Sequence, residues 1–326
     1  MDITILLGLQ SFREGVGSIF TEFLNKVTWF GDMNIVIVLI AIIYWSISKE
    51  TGTYLLMGWS GNRIVNGFLK VTACVYRPWI RDPRIIPNAE AKELATGYSF
   101  PSGHSMNAAS LYGGIGMKKG VHKVIRIIMW IMVVLIIFSR NFLGVHTPQD
   151  VLVGVVLGLI VMLLAGKLLE WLKKHPKMDL LVAGIGIAIA IAVAIYASVK
   201  SYPVDYDAEG KILVDGHKMA QDTFKAVGWA SGFFAGWVLE RRFVKFEDDV
   251  SLQLRTVRAT IGLFCYYIVT LIINPLIKSV TPSEAGNVIR CFIQMFCVVF
   301  LFPLIFVLIE KRTEKNIAGS AKGNER

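Results

Sequence analysis

Lys70 and Arg77 stand seven residues apart, close to two helical turns, so an unbroken helix would carry both cations on one face until Pro78 ended it. No acidic residue lies between them, and two fixed cations in an apolar stretch call for an anion. Pro101-Ser102-Gly103-His104 has the composition of a helix start. Pro101 suits the first helical position, Gly103 lets an anion approach the backbone, and Ser102 adds a hydroxyl donor. Free N–H groups and the dipole at such a terminus favour a phosphate, with His104 held beside it. In the third segment Arg140 precedes His146, and Asp150 follows at i+4, the spacing at which a carboxylate reaches an imidazole. The carboxylate can fix the tautomer and leave the other ring nitrogen free as a nucleophile. Together the three segments describe nucleophilic chemistry on a bound phosphate.

The elements that position them belong to a membrane. Of the 326 residues 54% are hydrophobic and the mean hydropathy is +0.56, above the ~45–50% apolar content of soluble domains. Leu180 to Ser198 is an uncharged run able to cross a hydrocarbon core of ~30 Å. The fold class expected is all-α, a polytopic helical bundle. Its nine spans fall near 29–48, 51–75, 102–118, 123–143, 149–172, 178–200, 221–241, 255–278 and 286–310. Residues 1–28 have helical apolar spacing opposite Arg13, Glu14, Glu22 and Lys26, which predicts an interfacial amphipathic helix. No cleavable signal peptide is expected, since that stretch lacks an uninterrupted apolar core.

The net charge of +10 suggests nucleic acid, but its placement excludes that reading. Lys118, Lys119, Lys123 and Arg126, then Lys167, Lys173, Lys174 and Lys177, then Arg241, Arg242 and Lys245, then Lys311, Arg312 and Lys315 all fall on one side of an alternating chain. That side is therefore expected to be cytoplasmic, with the loops at 76–101, 144–148 and 201–220 outside. All three chemical segments then map to the outer ends of spans two to five. Span three is barely hydrophobic, and its small residues, like Gly154 and Gly158 or Gly228, Gly232 and Gly236, suit close helix packing. The four cysteines lie in apolar stretches without metal-ligand spacing. His122, His175 and His217 lie in charged loops and are assigned no catalytic role, and the acidic run at 205–210 lacks the rest of a calcium loop.

Lys70…Arg77-Pro78, Pro101-Ser102-Gly103-His104 and Ser139-Arg140…His146…Asp150 together resemble the three-part signature of the type-2 phosphatidic acid phosphatases. That superfamily includes lipid phosphate phosphatases, polyprenyl-pyrophosphate phosphatases, glucose-6-phosphatase and vanadium haloperoxidases. The resemblance covers about residues 30–172. It implies that Lys70, Arg77 and Arg140 hold the phosphate oxygens with Ser102 and the Gly103 backbone. It implies also that His146 attacks phosphorus, Asp150 orients it, and His104 protonates the leaving group and then activates water. No metal and no cofactor is expected. The substrate implied is a phospholipid or isoprenoid phosphate drawn from the surrounding membrane lipids. Hydrolysis of a soluble sugar phosphate, phosphotransfer and non-enzymatic lipid binding or transport are the alternatives, since glucose-6-phosphatase also has nine spans in this orientation. Arg63, which shares the face of Lys70, reads equally as a bundle-interior or a substrate-channel residue. The expected layout is an interfacial helix at 1–28, a phosphatase core at 29–172, added spans at 173–310 and a loose cytoplasmic tail at 311–326. The expected location is a bacterial plasma membrane with the site facing outward. Single cysteines at Asn88 and Gly210, in a chain freed of native cysteines, should react with an impermeant maleimide in intact cells. Equal labelling of a cysteine after Lys311 would refute the orientation.

Overall fold

The computed structural model describes residues 2–207 and 209–323, with the backbone alone for 313–323. It is all-helical, and among the described residues the only strand-like feature is an isolated bridge between Tyr206 and Ile212. The helices in chain order are α1 (Asp2–Val16), α2 (Ser18–Trp29), α3 (Met33–Ile47), α4 (Lys49–Ala73), α5 (103–117), α6 (Lys123–Phe142), α7 (Pro148–Lys174), α8 (Pro176–Val199), α9 (216–244), α10 (Leu252–Val280) and α11 (284–323). Two short helices, Pro78–Arg81 and Ala89–Glu93, lie in the loop between α4 and α5.

The amphipathic stretch expected at 1–28 is two helices, broken at Gly17 where φ is +83°. α1 docks on the end of α6 and on the loop after α4: Arg13 Nη1 donates to Phe142 O at 3.1 Å, and the Gln10 side chain bonds Ile86 N and Arg84 O. α2 and α3 meet at a 55° bend, and Asp32 caps α3 by accepting from Asn34 N at 2.8 Å.

Five helices, α6, α7, α8, α10 and α11 to Arg312, are long and apolar enough to cross a membrane, and the bent α2–α3 pair makes up to six. Expected spans two, three and seven, now α4, α5 and α9, do not meet that measure. α5, at 103–117, is too short for it, and the polarity of α4 is spent inside the bundle. In α4, Asn62 Nδ2 donates to Ser110 Oγ at 2.7 Å and Gly158 O at 3.1 Å, Asn66 Nδ2 to Pro101 O at 3.0 Å, and Trp59 Nε1 to Asn107 Oδ1 at 3.1 Å. Hydrogen-bonded polar groups can stay buried where isolated ones cannot. The tail expected to be loose continues α11 as helix to Gly323; residues 324–326 lie outside the described residues.

Small residues set the helix spacing. A Cβ on Gly154 would lie 2.9 Å from Ser102 O and one on Gly158 would lie 2.6 Å from Ala109 Cβ, so α5 rests directly on α7. Positions 228 and 232 of α9 approach the Val288 and Phe292 carbonyls of α11, where an added Cβ would sit at 2.3 and 2.4 Å. α3 is pinned to α11 by Trp45 Nε1 donating to Val298 O at 2.8 Å and Tyr44 Oη to Val299 O at 3.2 Å. Gly232→Val should therefore destabilise the detergent-solubilised protein by about 1–3 kcal/mol. Gly184→Val, on an open face with nothing within 4 Å of the new Cβ, should not lower the melting temperature. Equal melting temperatures for the two variants would remove the packing explanation.

Candidate active site

Arg77 was expected on one helical face with Lys70, but α4 ends four residues before it. Cys74 takes the left-handed conformation, φ +47°, and closes the helix through its N–H to Lys70 O. Arg77, ahead of Pro78, is extended at φ −64°, ψ 151°, as a residue before proline prefers. The two cations reach the site from different elements. Lys70, in the last turn of α4, donates to Tyr98 O at 2.7 Å. Arg77 Nε donates to Gly97 O at 3.0 Å, Nη2 to Thr96 O at 2.7 Å and Nη1 to Val145 O at 3.1 Å.

Nη1 of Arg77 also lies 2.9 Å from His146 Nε2. A guanidinium can only donate, so Nε2 presents its lone pair and the ring proton sits on Nδ1. Nδ1 faces Asp150 Oδ2 at 3.4 Å. Asp150 is itself fixed by Ser99 Oγ at 2.6 Å and Thr147 N at 2.8 Å, the second being half of a capping box that starts α7. Burial, and next the Arg77 guanidinium, push the His146 imidazole well below its usual range, so the ring is held neutral.

Pro101 is not the first helical residue. Ser102 is the N-cap, its hydroxyl accepting from Ser105 N at 3.4 Å, and Gly103 opens α5. Ser102 N donates to Asp150 O at 2.9 Å, which ties this terminus to the start of α7. A Cβ at Gly103 would stand 3.5 Å from both Arg63 Nη1 and Asn66 Oδ1.

Six of the eight predicted residues, Lys70, Arg77, Gly103, His104, Arg140 and His146, line one cavity of about 40 Å³. Ser102 and Asp150 are buried behind it. At roughly 10–15 Å³ per water position, the space suits a small anion and not the body of a larger molecule. Arg140 is fully buried; Nη1 donates to Thr28 Oγ1 at 2.7 Å, while Nε and Nη2 have no partner. Arg63 Nε and His104 Nε2 are likewise buried and unpaired. An orphaned buried polar group costs on the order of 1–3 kcal/mol, and several directed at one cavity describe a site completed by an oxygen-rich anion. Among the described residues no group of three or more His, Cys, Asp or Glu side chains is placed to hold a metal ion.

Sequence reasoning left Arg63 uncommitted and missed Asp32, Thr96 and Asp222, which also line the cavity. The signal for Arg63 was its place seven residues before Lys70. Asp222 comes from α9 and accepts from Thr96 Oγ1 at 2.6 Å and Lys225 Nζ at 2.8 Å; nothing in its local sequence points to the site. A larger cavity, about 790 Å³, lies at the opposite ends of the helices. It is lined by ion pairs such as Lys49–Glu240 at 2.6 Å and Lys173–Glu50 at 3.1 Å, and it contains no histidine. Both histidines that the sequence singles out line the smaller cavity.

Residues 51–174 match the PAP2 superfamily, and residues 224–314 match the PAP2 superfamily phosphatase transmembrane extension. Phosphatidylglycerophosphatase B of Bacillus subtilis (strain 168) is 32% identical over 165 residues, covering 47% of this chain and 77% of that protein. No solved structure matches. The first match spans α4 to α7, which carry every predicted site residue, and the second spans most of α9 to α11. The chain belongs to the PAP2 superfamily, and it is an integral-membrane phosphoric ester hydrolase with that superfamily's transmembrane extension.

Proposed function

We propose that this enzyme dephosphorylates a lipid phosphate ester at the outer face of the membrane through a phosphohistidine on His146, without a metal ion. The observation that carries the reading is the neutral His146 ring, its Nε2 lone pair turned to Arg77 at 2.9 Å and its Nδ1 turned to Asp150. Lys70, Arg77 and Arg140 hold the phosphate oxygens together with the Gly103 backbone and Ser102, whose hydroxyl hydrogen stays available while its oxygen caps α5. Nε2 forms the P–N bond as the ester P–O bond breaks, and Asp150 balances the charge on the ring. His104 gives its proton to the leaving alkoxide. It then takes one from water, which attacks phosphorus and releases inorganic phosphate with His146 restored. The guanidinium and ammonium groups supply the charge neutralisation a metal would otherwise bring.

A cavity that admits only the phosphate, at the ends of helices buried in a bilayer, suits a substrate whose head rises from the membrane while its tail stays in lipid. The relative's activity on phosphatidylglycerol phosphate, as its name states, supports this class. In this reading α4, α5 and α9 also cross the membrane, giving nine spans with an outer N-terminus and a cytoplasmic C-terminus in a bacterial plasma membrane. The core then runs from 29 to 172, followed by added spans at 173–310 and a tail at 311–326.

The purified protein should release phosphate from micellar lipid phosphates faster than from sugar phosphates, with EDTA present, and vanadate should block it. Strict dependence on added magnesium would overturn the metal-free mechanism. His146 variants should lose turnover and any acid-trapped phosphoenzyme. His104 variants should lose about 10²–10⁴-fold, less with p-nitrophenyl phosphate, whose leaving group needs no proton, and should accumulate phosphoenzyme. Labelling of the His146 variant but not the His104 variant would reverse the roles. Asp150→Asn should keep the bond from Thr147 N and still lose turnover of similar size; wild-type turnover would remove its orienting role.

A further inference from the structure

A second polar cavity, about 440 Å³, opens beside the phosphate site. Its charged lining is entirely cationic: Lys225 from α9, Lys278 from α10 and Arg290 from α11. Lys225 is paired with Asp222, but Lys278 and Arg290 make no ion pair among the described residues. Arg290 Nη2 bonds Asn287 Oδ1, while its Nε, like Asn274 Oδ1, is buried without a partner. Unpaired cations and orphaned polar atoms inside otherwise apolar helices mark a functional site more readily than a structural one. Snorkelling to the surface accounts for the exposed Lys278, but not for the half-buried Arg290 and its orphaned Nε.

The two cavities share a thin wall. Met33 lines both. The Asp222–Lys225 pair has its carboxylate in the first and its ammonium in the second, and Arg63, in the first, lies 5.7 Å over the ring of Trp229, in the second. Both cavities draw on the start of α9, the first through Asp222 and the second through Lys225, and the second is closed by the end of α10 and the start of α11. Around the second, Leu271, Leu276 and Ile289 are exposed, an apolar rim fit for acyl chains.

We infer that this cavity binds a second, internal phosphate of the lipid substrate, a phosphodiester joined by a short polyol to the terminal phosphate being cleaved. The inference rests on the phosphatase reading above. Side chains stand between the cavities, among them the Asp222–Lys225 pair and Trp229 under Arg63. Two phosphates sharing one bridging oxygen, as in a pyrophosphate, are therefore too close together to lie one on each side, and a phosphodiester set off by a glycerol is the substrate with the longer reach. Charge-assisted bonds to that phosphate lower KM for such lipids and do nothing for a lipid with one phosphate.

The test uses the full-length protein and Lys278→Gln, Arg290→Gln and the double variant. Each is assayed in the same mixed micelles on phosphatidylglycerol phosphate, phosphatidate and farnesyl pyrophosphate. The double variant should lose about 10–100-fold in kcat/KM on phosphatidylglycerol phosphate, mostly through KM, with phosphatidate turnover unchanged as the proof of folding. Equal losses on phosphatidate, no loss on phosphatidylglycerol phosphate, or a loss confined to farnesyl pyrophosphate would each overturn it. A wild-type protein that cleaves none of the three would instead overturn the lipid phosphatase reading, and the subsite with it.

Discussion

The site hangs on one buried guanidinium. Arg77 spends its donors on the carbonyls of Thr96, Gly97 and Val145 and on His146 Nε2. Those acceptors belong to two loops, the one after α4 and the turn between α6 and α7, and neither has a helical or sheet partner for these groups. The guanidinium therefore acts as the missing secondary structure for both. Because three of its partners are neutral carbonyls, its charge is not cancelled, and the fixed cation that shapes the loops is also available to a phosphate. Lysine could not substitute, since its rotating ammonium lacks the planar fork that meets carbonyls on two sides at once.

Around this centre the hydrogen bonds divide into two groups. The groups that place the histidine are satisfied: Asp150 by Ser99 and Thr147, the start of α5 by Asp150 O, and Lys70 by Tyr98 O. Several groups facing the cavity are not: Arg140 Nε and Nη2, Arg63 Nε and His104 Nε2 are all buried and unpaired. A protein interior does not leave so many orphans in one place without compensation elsewhere. Here the compensation is the helix packing at Gly154 and Gly158 and the Thr28 bond that anchors Arg140 from α2. The framework is stiff so that the unmet demand stays focused on one small volume.

How much of this was legible in the sequence depended on contrast. Lys70, Arg77, Arg140, His104 and His146 are conspicuous because an apolar chain has few reasons to carry them. The i+4 spacing of Asp150 survives because the capping box at Thr147 folds the carboxylate back over the start of α7, where His146 stands just before the cap. What the sequence hid was tertiary. Whether α4 continues to Arg77 turns on Cys74 adopting φ +47°, which no propensity for cysteine foretells. Asp222 is seventy-two residues beyond Asp150 and looks like any acid near a helix start. α4 falls short on hydropathy because its polar residues Asn62 and Asn66 face α5 and α7, while α5 is simply short. The break at Gly17 was hidden because apolar spacing continues through it.

The transmembrane extension is then more than an anchor. Lys225 holds Asp222 at 2.8 Å, Asp222 holds Thr96 Oγ1 at 2.6 Å, and Thr96 O receives Arg77 Nη2 at 2.7 Å. Arg77 meets His146 at 2.9 Å, and His146 faces Asp150. This chain of short polar contacts runs from α9 to His146. α9 is seated on α4 as well, with Thr223 Oγ1 donating to Gly67 O at 3.1 Å. A carboxylate can fix both Thr96 and Lys225 and, together with Asp32, offset part of the cavity's positive charge. The position of the loop that bears Arg77, and the charge balance of the basket, are thus set from outside the residues that carry the signature.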